Sequence, residues 1–224
     1  GEIRNLSTDM SLKIQRFVCN PFQENCFVVS DETNEGIVID CGALYPEERT
    51  AIVDYVEKEG IVLKHLIATH GHVDHHFGDN TIFEKYGLRP EVSAKDEYLQ
   101  GKLDEQCRTF CGQSLGYEMP PVGKYLNDDD VIEFGNHRFT IIPTPGHTPG
   151  SVFFYCKEEG LAFSGDTLFR MSIGRTDFEL GNYDDIIVSL HSLKNLMPLD
   201  TTILPGHGPQ TTLGDEVNCN PYFK

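Results

Sequence analysis

Basic residues are scarce in this chain. Lysine and arginine number 18 against 35 aspartates and glutamates, a formal net charge of −17. Nucleic-acid binding needs a basic footprint, and with no basic arm either, the balance argues against that class. It says little against a small anionic substrate, because local charge can differ from the total. No apolar stretch is long enough to span a membrane, and the N-terminal residues lack the apolar core of an export signal. The seven cysteines contain no zinc-type pair of C-x-x-C motifs. Their odd number fits reduced thiols in a cytoplasmic protein. Low-complexity segments and short repeats are missing too. The expectation is a cytoplasmic protein with a small-molecule partner, no nucleic acid and no membrane. The sequence carries no sign of its oligomeric state.

What is present is concentrated in one place. Thr69-His70-Gly71-His72-Val73-Asp74-His75 packs three imidazoles and a carboxylate into six consecutive residues after the mostly apolar run Leu63–Ala68. Extended backbone alternates its side chains, so His70 and His72 can point the same way. Asp74 and His75 follow where the chain would turn into a helix and can aim at a second point nearby. Zinc takes four ligands, and a catalytic ion leaves one position open. The cluster exceeds what one ion needs and suggests two adjacent metals. Burying so many polar groups without a cation would be costly. His147, Asp166 and His207 each end or follow a strand-like run framed by Gly or Pro, the residues that build tight loops. Loops at strand ends are where function usually sits. His65, His76, His137 and His191 are read as structural or surface residues, with His76 the easiest to mistake for a ligand.

This order of motifs resembles the metallo-beta-lactamase fold superfamily across nearly the whole chain. Ser164-Gly165-Asp166-Thr167-Leu168-Phe169, followed by Ser172-Ile173-Gly174-Arg175-Thr176-Asp177, is similar to the short bacterial members of its glyoxalase II branch. The resemblance implies an α/β (α+β) chain folded as a four-layer αββα sandwich. It implies that His70, His72 and His147 bind one metal, that Asp74, His75 and His207 bind the other, and that Asp166 bridges them. Two zinc ions are the expected cofactor, with iron or mixed metals as the alternative. Asp40 is expected beside the site, in contact with a ligating histidine, because similar chains carry an aspartate there. Arg175 is read either as a contact to substrate or site, or as an ion pair with Asp177. Arg170 and Lys124 are weaker candidates for holding a substrate carboxylate.

The ligands span residues 70–207, so one site needs most of the chain. A single domain over 10–224 is expected, with ample apolar content for a core. Residues 1–9 read as a polar leader, with Met10 the natural start and a cloning remnant before it. Strands are expected at Lys13–Cys19, Asn25–Ser30 and Gly36–Asp40, the last two joined by a hairpin turn. A helix follows over Pro46–Lys58, with proline in its first turn and acids at its positive end. A strand then runs into the metal motif, a short helix covers Asn80–Tyr86, and another begins near Ala94. Residues 101–130 read as a loop or broken helix, either overhanging the site or serving as a packed connector. Strands are expected at Val131–Glu133, His137–Ile142, Ser151–Cys156 and Gly160–Phe163. A helix follows at Tyr183–Met197, and a final strand, Thr202–Leu204, delivers His207.

Water shared by two zinc ions falls in pKa from about 15.7 toward about 7, which makes hydroxide available to attack a carbonyl carbon. Asp74 is assigned to orient that nucleophile while ligating. A thiolate leaves without a proton donor, whereas an amine must be protonated as it leaves. With no clear extra general acid in the sequence, a thioester is easier than an unstrained amide. The resemblance points the same way, toward a hydroxyacyl thioester such as S-lactoylglutathione. One departure stands out. Only a short segment follows His207, so the C-terminal helical domain that supplies much of the glutathione site in full-length glyoxalase II enzymes has no counterpart. The nearest rival is a persulfide dioxygenase, whose single iron would correspond to His72, His147 and Asp166. A lactonase or beta-lactamase on the same centre is a further alternative, as is a non-catalytic metal sensor.

Overall fold

The computed structural model describes residues 2–3 and 12–224; most of the expected leader lies outside these residues. Two sheets stack face to face, each with helices on its outer side. The first sheet has seven strands in sequence order: β1 (Glu2–Ile3), β2 (Lys13–Cys19), β3 (Glu24–Ser30), β4 (Glu35–Ile39), β5 (Val62–Ile67), β6 (Pro90–Ser93) and β7 (Lys124–Leu126). Strands β1 to β4 pair antiparallel, and β4 to β7 pair parallel. The second sheet runs in the order β15 (Thr211–Thr212), β14 (Thr202–Pro205), β11 (Leu161–Gly165), β10 (Val152–Cys156), β9 (His137–Pro143) and β8 (Val131–Phe134). A small hairpin, β12 (Leu168–Phe169) with β13 (Ser172–Ile173), stands apart.

Burial explains the layering. Every residue of β3 is buried, which requires cover on both faces. Successive side chains alternate between faces. Phe27 and Val29 join Ile37, Ile39, Phe139, Phe154 and Phe163 between the sheets. Val28 and Val38 face the other way, onto Ile52 and Val56 of α1 (Pro46–Lys58) and Ile82 of α2 (Asp79–Tyr86). Across the molecule, Phe153 and Ile203 meet Ile186 and Leu190 of α5 (Tyr183–Ser192) and Leu213 of α6 (Leu213–Cys219). The result is the four-layer αββα sandwich.

The helix starts follow their local chemistry. Pro46 opens α1, and the Glu48 carboxylate accepts from the Leu44 and Tyr45 N–H groups at its unsatisfied end. Asn182 caps α5 by accepting from the Asp185 N–H at 2.9 Å. This helix ends at Ser192, short of Met197, and a 3-10 turn over Leu193–Asn195 follows.

Three expectations need correction. Residues 101–130 follow the broken-helix alternative rather than the loop, with the single turn α3 (Glu97–Gln100) interrupted before α4 (Leu103–Cys111), and β7, which was not expected, adds to the sheet edge. Leu103 and Cys107 pack under the metal motif against Val73 and Phe77. Strand β14 is not the last element, since β15 and α6 follow it. Strand β6 was not foreseen at all. Its segment Pro90-Glu91-Val92-Ser93 offers a single β-branched residue, and it owes its place to parallel pairing with β5 and β7.

Candidate metal centre

Strand ends from both sheets meet along one edge of the sandwich. From the first sheet, β5 runs into His70, His72, Asp74 and His75, and Asp40 follows β4. From the second sheet, the β9–β10 loop carries His147, Asp166 follows β11, and His207 follows β14. Asn25 stitches the two halves here. Its backbone N–H donates to Gly206 O at 2.7 Å, and its side-chain amide donates to the Pro205 and Gly208 carbonyls at 2.9 Å each. Asp96 ties the first histidine loop to the His147 loop. Its carboxylate accepts from Gly71 N at 2.9 Å, Gly150 N at 2.7 Å and Thr148 Oγ1 at 2.7 Å.

All seven candidate ligands converge, in two adjacent groups. His70, His72 and His147 form one, with His72 Nδ1 3.0 Å from His147 Nε2. Asp74, His75, Asp166 and His207 form the other. There, His207 Nε2 lies 3.1 Å from Asp74 Oδ2, and His75 Nε2 lies 3.1 Å from Asp166 Oδ1. Asp166 sits between them: Oδ2 is 3.5 Å from His147 Nε2, 3.7 Å from His70 Nε2 and 3.3 Å from His207 Nε2. Space for this approach depends on Gly206, where a Cβ would collide with Asp166 Oδ1 and His75 Cε1.

The nitrogens facing away from the centre have fixed neighbours. His147 Nδ1 bonds Arg175 O at 2.7 Å, and His207 Nδ1 bonds Phe22 O at 3.0 Å. His75 Nδ1 makes no hydrogen bond but lies 3.0 Å from Asp40 Oδ2. The same Asp40 carboxylate accepts from Thr69 N at 2.7 Å and Thr69 Oγ1 at 2.8 Å. Partners of this kind set imidazole orientation and tautomer in metal sites.

The inward atoms are different. His70 Nε2, His75 Nε2 and Asp166 Oδ1 are buried and make no hydrogen bond. Orphaned buried polar atoms are rare because each costs its full desolvation. A divalent cation would satisfy all three, so the residues fit a metal pair. Electrostatics agrees. Burial opposes charge on His70 and holds it low, and burial together with His147 lowers His72 to about 3. His70 and His72 therefore keep the neutral form that ligates metal. Burial also opposes charge on His207, but Asp166 and Asp74 outweigh it and raise the group to about 10. His75 is raised by the same carboxylates against the same penalty. Protons thus stand where a cation would compete for the lone pairs.

A cavity of about 410 Å³ opens over the centre, with His72, Asp74, His147, Asp166 and His207 at its base. Arg175 lines it, but its guanidinium is bidentate on Asp177 at 2.7 Å for both contacts and lies 4.1 Å over the Phe178 ring. Its backbone carbonyl, rather than its side chain, touches the centre. Arg170 and Lys124 do not line the cavity. From the irregular segment, Phe110 of α4 reaches the cavity wall, and Gln106 accepts from the Val73 N–H at 2.9 Å. The histidines set apart in the sequence have other partners. His76 is buried between Asp79 at 2.7 Å and the His70 carbonyl at 2.9 Å, and His65 bonds Glu91 at 2.6 Å.

Sequence reasoning missed Glu24. Its carboxylate is fully buried, lies 3.4 Å from His75 Nδ1 and has no hydrogen-bond partner. Burial, against the attraction of His75, raises its pKa well above the carboxylate range. An acid leading into the apolar run Cys26-Phe27-Val28-Val29 was the available signal. Asp96 and Gln106 had no comparable signal, since each sits in an ordinary polar stretch.

The family model described as Metallo-beta-lactamase superfamily matches residues 19–207. Hydroxyacylglutathione hydrolase GloC of Haemophilus influenzae is 33% identical over 216 residues, covering 95% of this chain and 98% of that protein. Among solved structures, BLEG-1 B3 metallo-beta-lactamase superposes with a TM-score of 0.84 at 27% identity, covering 94% of this chain and 99% of the other. TTHA1623 in a di-iron-bound form gives 0.81 at 32% identity, covering 93% and 99%. The ordered ligand motifs, the double-sheet sandwich and these matches agree: the chain belongs to the metallo-beta-lactamase superfamily.

Proposed function

We propose that this protein is a metal-dependent hydrolase of acyl thioesters, acting on a hydroxyacyl thioester such as S-lactoylglutathione. The observation that carries the reading is the convergence of seven donors at the base of one cavity, with inward atoms left unpaired. His70, His72 and His147 would hold one zinc ion; Asp74, His75 and His207 would hold a second; Asp166 would serve both. Bound there, divalent metals supply a Lewis acid and a water of lowered pKa. Asp74, which lines the cavity, would orient the attacking oxygen. Asp40 and the Arg175 carbonyl hold His75 and His147 in register. Among the described residues lining the cavity, the titratable groups are those of the centre and Arg175. No spare acid stands ready to protonate an amine. That favours a thiolate leaving group, which departs unprotonated. The similarity to a hydroxyacylglutathione hydrolase supports the same substrate class.

We place the reaction in the cytoplasm, where thiol carriers are reduced. All seven cysteines are free, and no helix among the described residues is long and apolar enough to cross a membrane. The test pairs metal analysis of purified protein with an S-lactoylglutathione assay. About two zinc per chain with release of free thiol is the expected result. One iron per chain, with sulfite formed from a persulfide, would replace this reading with the dioxygenase. Bound metal with turnover of lactones alone would replace it with a lactonase.

A further inference from the structure

The walls of the cavity differ sharply from its base. Phe22, Val73, Phe110, Phe169, Ile173 and Phe178 supply the walls. The four phenylalanines come from separate places: the β2–β3 turn, α4, β12 and the loop after β13. Their rings reach both ligand groups. Phe178 lies 5.3 Å from the His72 ring and 5.1 Å from Phe110, and Phe169 meets His207 edge-on at 5.9 Å. Phe22 and Phe110 remain 39% and 40% exposed. Apolar surface gathered around a concave polar base marks a binding site rather than chance exposure.

Cationic help is missing from the same walls. Among the described lining residues, Arg175 is the sole lysine or arginine, and Asp177 already occupies its guanidinium. A glutathione conjugate brings two carboxylates, and these walls hold no unpaired cation to receive them.

We propose that the best substrates carry a neutral aryl or branched-alkyl group beside the scissile carbonyl, seated against Phe110, Phe169 and Phe178, and that S-lactoylglutathione is a poorer substrate. This rests on the thioester-hydrolase reading. Water adds its oxygen to the carbonyl carbon, the carbon–sulfur bond breaks, and sulfur leaves with the bonding pair as thiolate, while the two protons of the water pass to solvent and the acyl group leaves as carboxylate. The aryl group can belong to the acyl side or to the thiol side. Two substrates separate these: the phenylacetyl thioester of N-acetylcysteamine and S-benzyl thioacetate.

The metal-loaded full chain is assayed with both and with S-lactoylglutathione, each kcat/KM divided by the rate of simple hydroxide hydrolysis. At least one aryl substrate should exceed S-lactoylglutathione by about tenfold or more, the scale of one well-filled apolar contact. Phe110→Ser and Phe178→Ser should each cut the aryl-to-lactoyl ratio by about tenfold with metal content per chain retained. A ratio at or below one in the wild type, or one indifferent to both substitutions, overturns the proposal. A binding measurement keeps it separate from the catalytic reading. N-benzylacetamide, which this route does not cleave, is titrated by ligand-observed NMR against wild type and both variants. If metal binds but no thioester turns over, the hydrolase reading fails and this titration decides alone. Binding lost in the serine variants supports the apolar subsite, and binding that is absent or unaffected overturns it.

Discussion

Two clusters in this protein look alike in composition and differ in what they leave unpaired. Asp31, Glu32 and His137 gather within the reach of a metal ion, as do Asp74, His75, Asp166 and His207. In the first, His137 bonds Asp31 at 2.8 Å through Nδ1 and Glu159 at 2.9 Å through Nε2. Asp31 also accepts from the Thr33 and Asn136 N–H groups. The valences are closed, and the cluster is an ion-pair clamp joining the β3–β4 turn to the β8–β9 turn. In the second, inward-facing atoms of His75 and Asp166, like that of the adjacent His70, are buried and make no hydrogen bond. Proximity of histidine and carboxylate is common to both. Unsatisfied lone pairs distinguish a cage from a clamp.

The strongest test of that contrast is Asp166→Ala. It removes the carboxylate that lies within 3.7 Å of histidines of both ligand sets, and kcat/KM for the thioester should fall by more than ~100-fold with the circular-dichroism spectrum preserved. Near-normal turnover in this variant would remove the proposed centre. Chelation comes next. A ligand present at 100 times its dissociation constant stabilises the folded state by about 2.7 kcal/mol, so stripping metal should lower Tm by several degrees and restored zinc should recover it. A Tm indifferent to chelator would mean that no metal is resident.

Asp40→Asn probes a smaller part. Asp40 has φ +57°, a left-handed conformation that asparagine tolerates, so the substitution changes charge and leaves the backbone. Loss of the carboxylate behind His75 should weaken metal affinity about 10–100-fold, read by competition with a chromophoric chelator. Unchanged affinity would reduce Asp40 to a purely structural partner of Thr69.

His137→Gln addresses the clamp. Burial disfavours the imidazolium, but Asp31 and Glu159 raise its pKa above the usual 6.5. A raised folded pKa adds stability below the unfolded pKa, and that stability is lost as pH rises through the folded value. The variant should therefore be less stable by about 1.5 kcal/mol near pH 5.5. The gap should narrow toward pH 9, in denaturation curves taken across that range. A gap that widens with pH would contradict a charged clamp.

Much of this architecture was legible before any coordinates. β2 and α1 fall on the expected bounds, Lys13–Cys19 and Pro46–Lys58, because a segment with Ile14, Phe17 and Val18 favours a strand and a proline-led, acid-first helix announces itself locally. The misses share a cause. β6 and β15, Pro90–Ser93 and Thr211–Thr212, carry little apolar pattern of their own and exist because a neighbouring strand offers hydrogen bonds. Glu24 looked like one more acid among 35, and its isolation behind His75 is a property of packing.

The amino-acid order by itself determined the donor inventory, the family and the alternation that makes two buried sheets, because these depend on residue identity and on spacing within a few turns of chain. The tertiary structure alone decided that Asn25 of one sheet holds the His207 loop of the other, that the Arg175 carbonyl backs His147, and that four distant phenylalanines wall one cavity. Those facts depend on where strand ends from opposite sheets meet, and no local pattern encodes a distance across a fold.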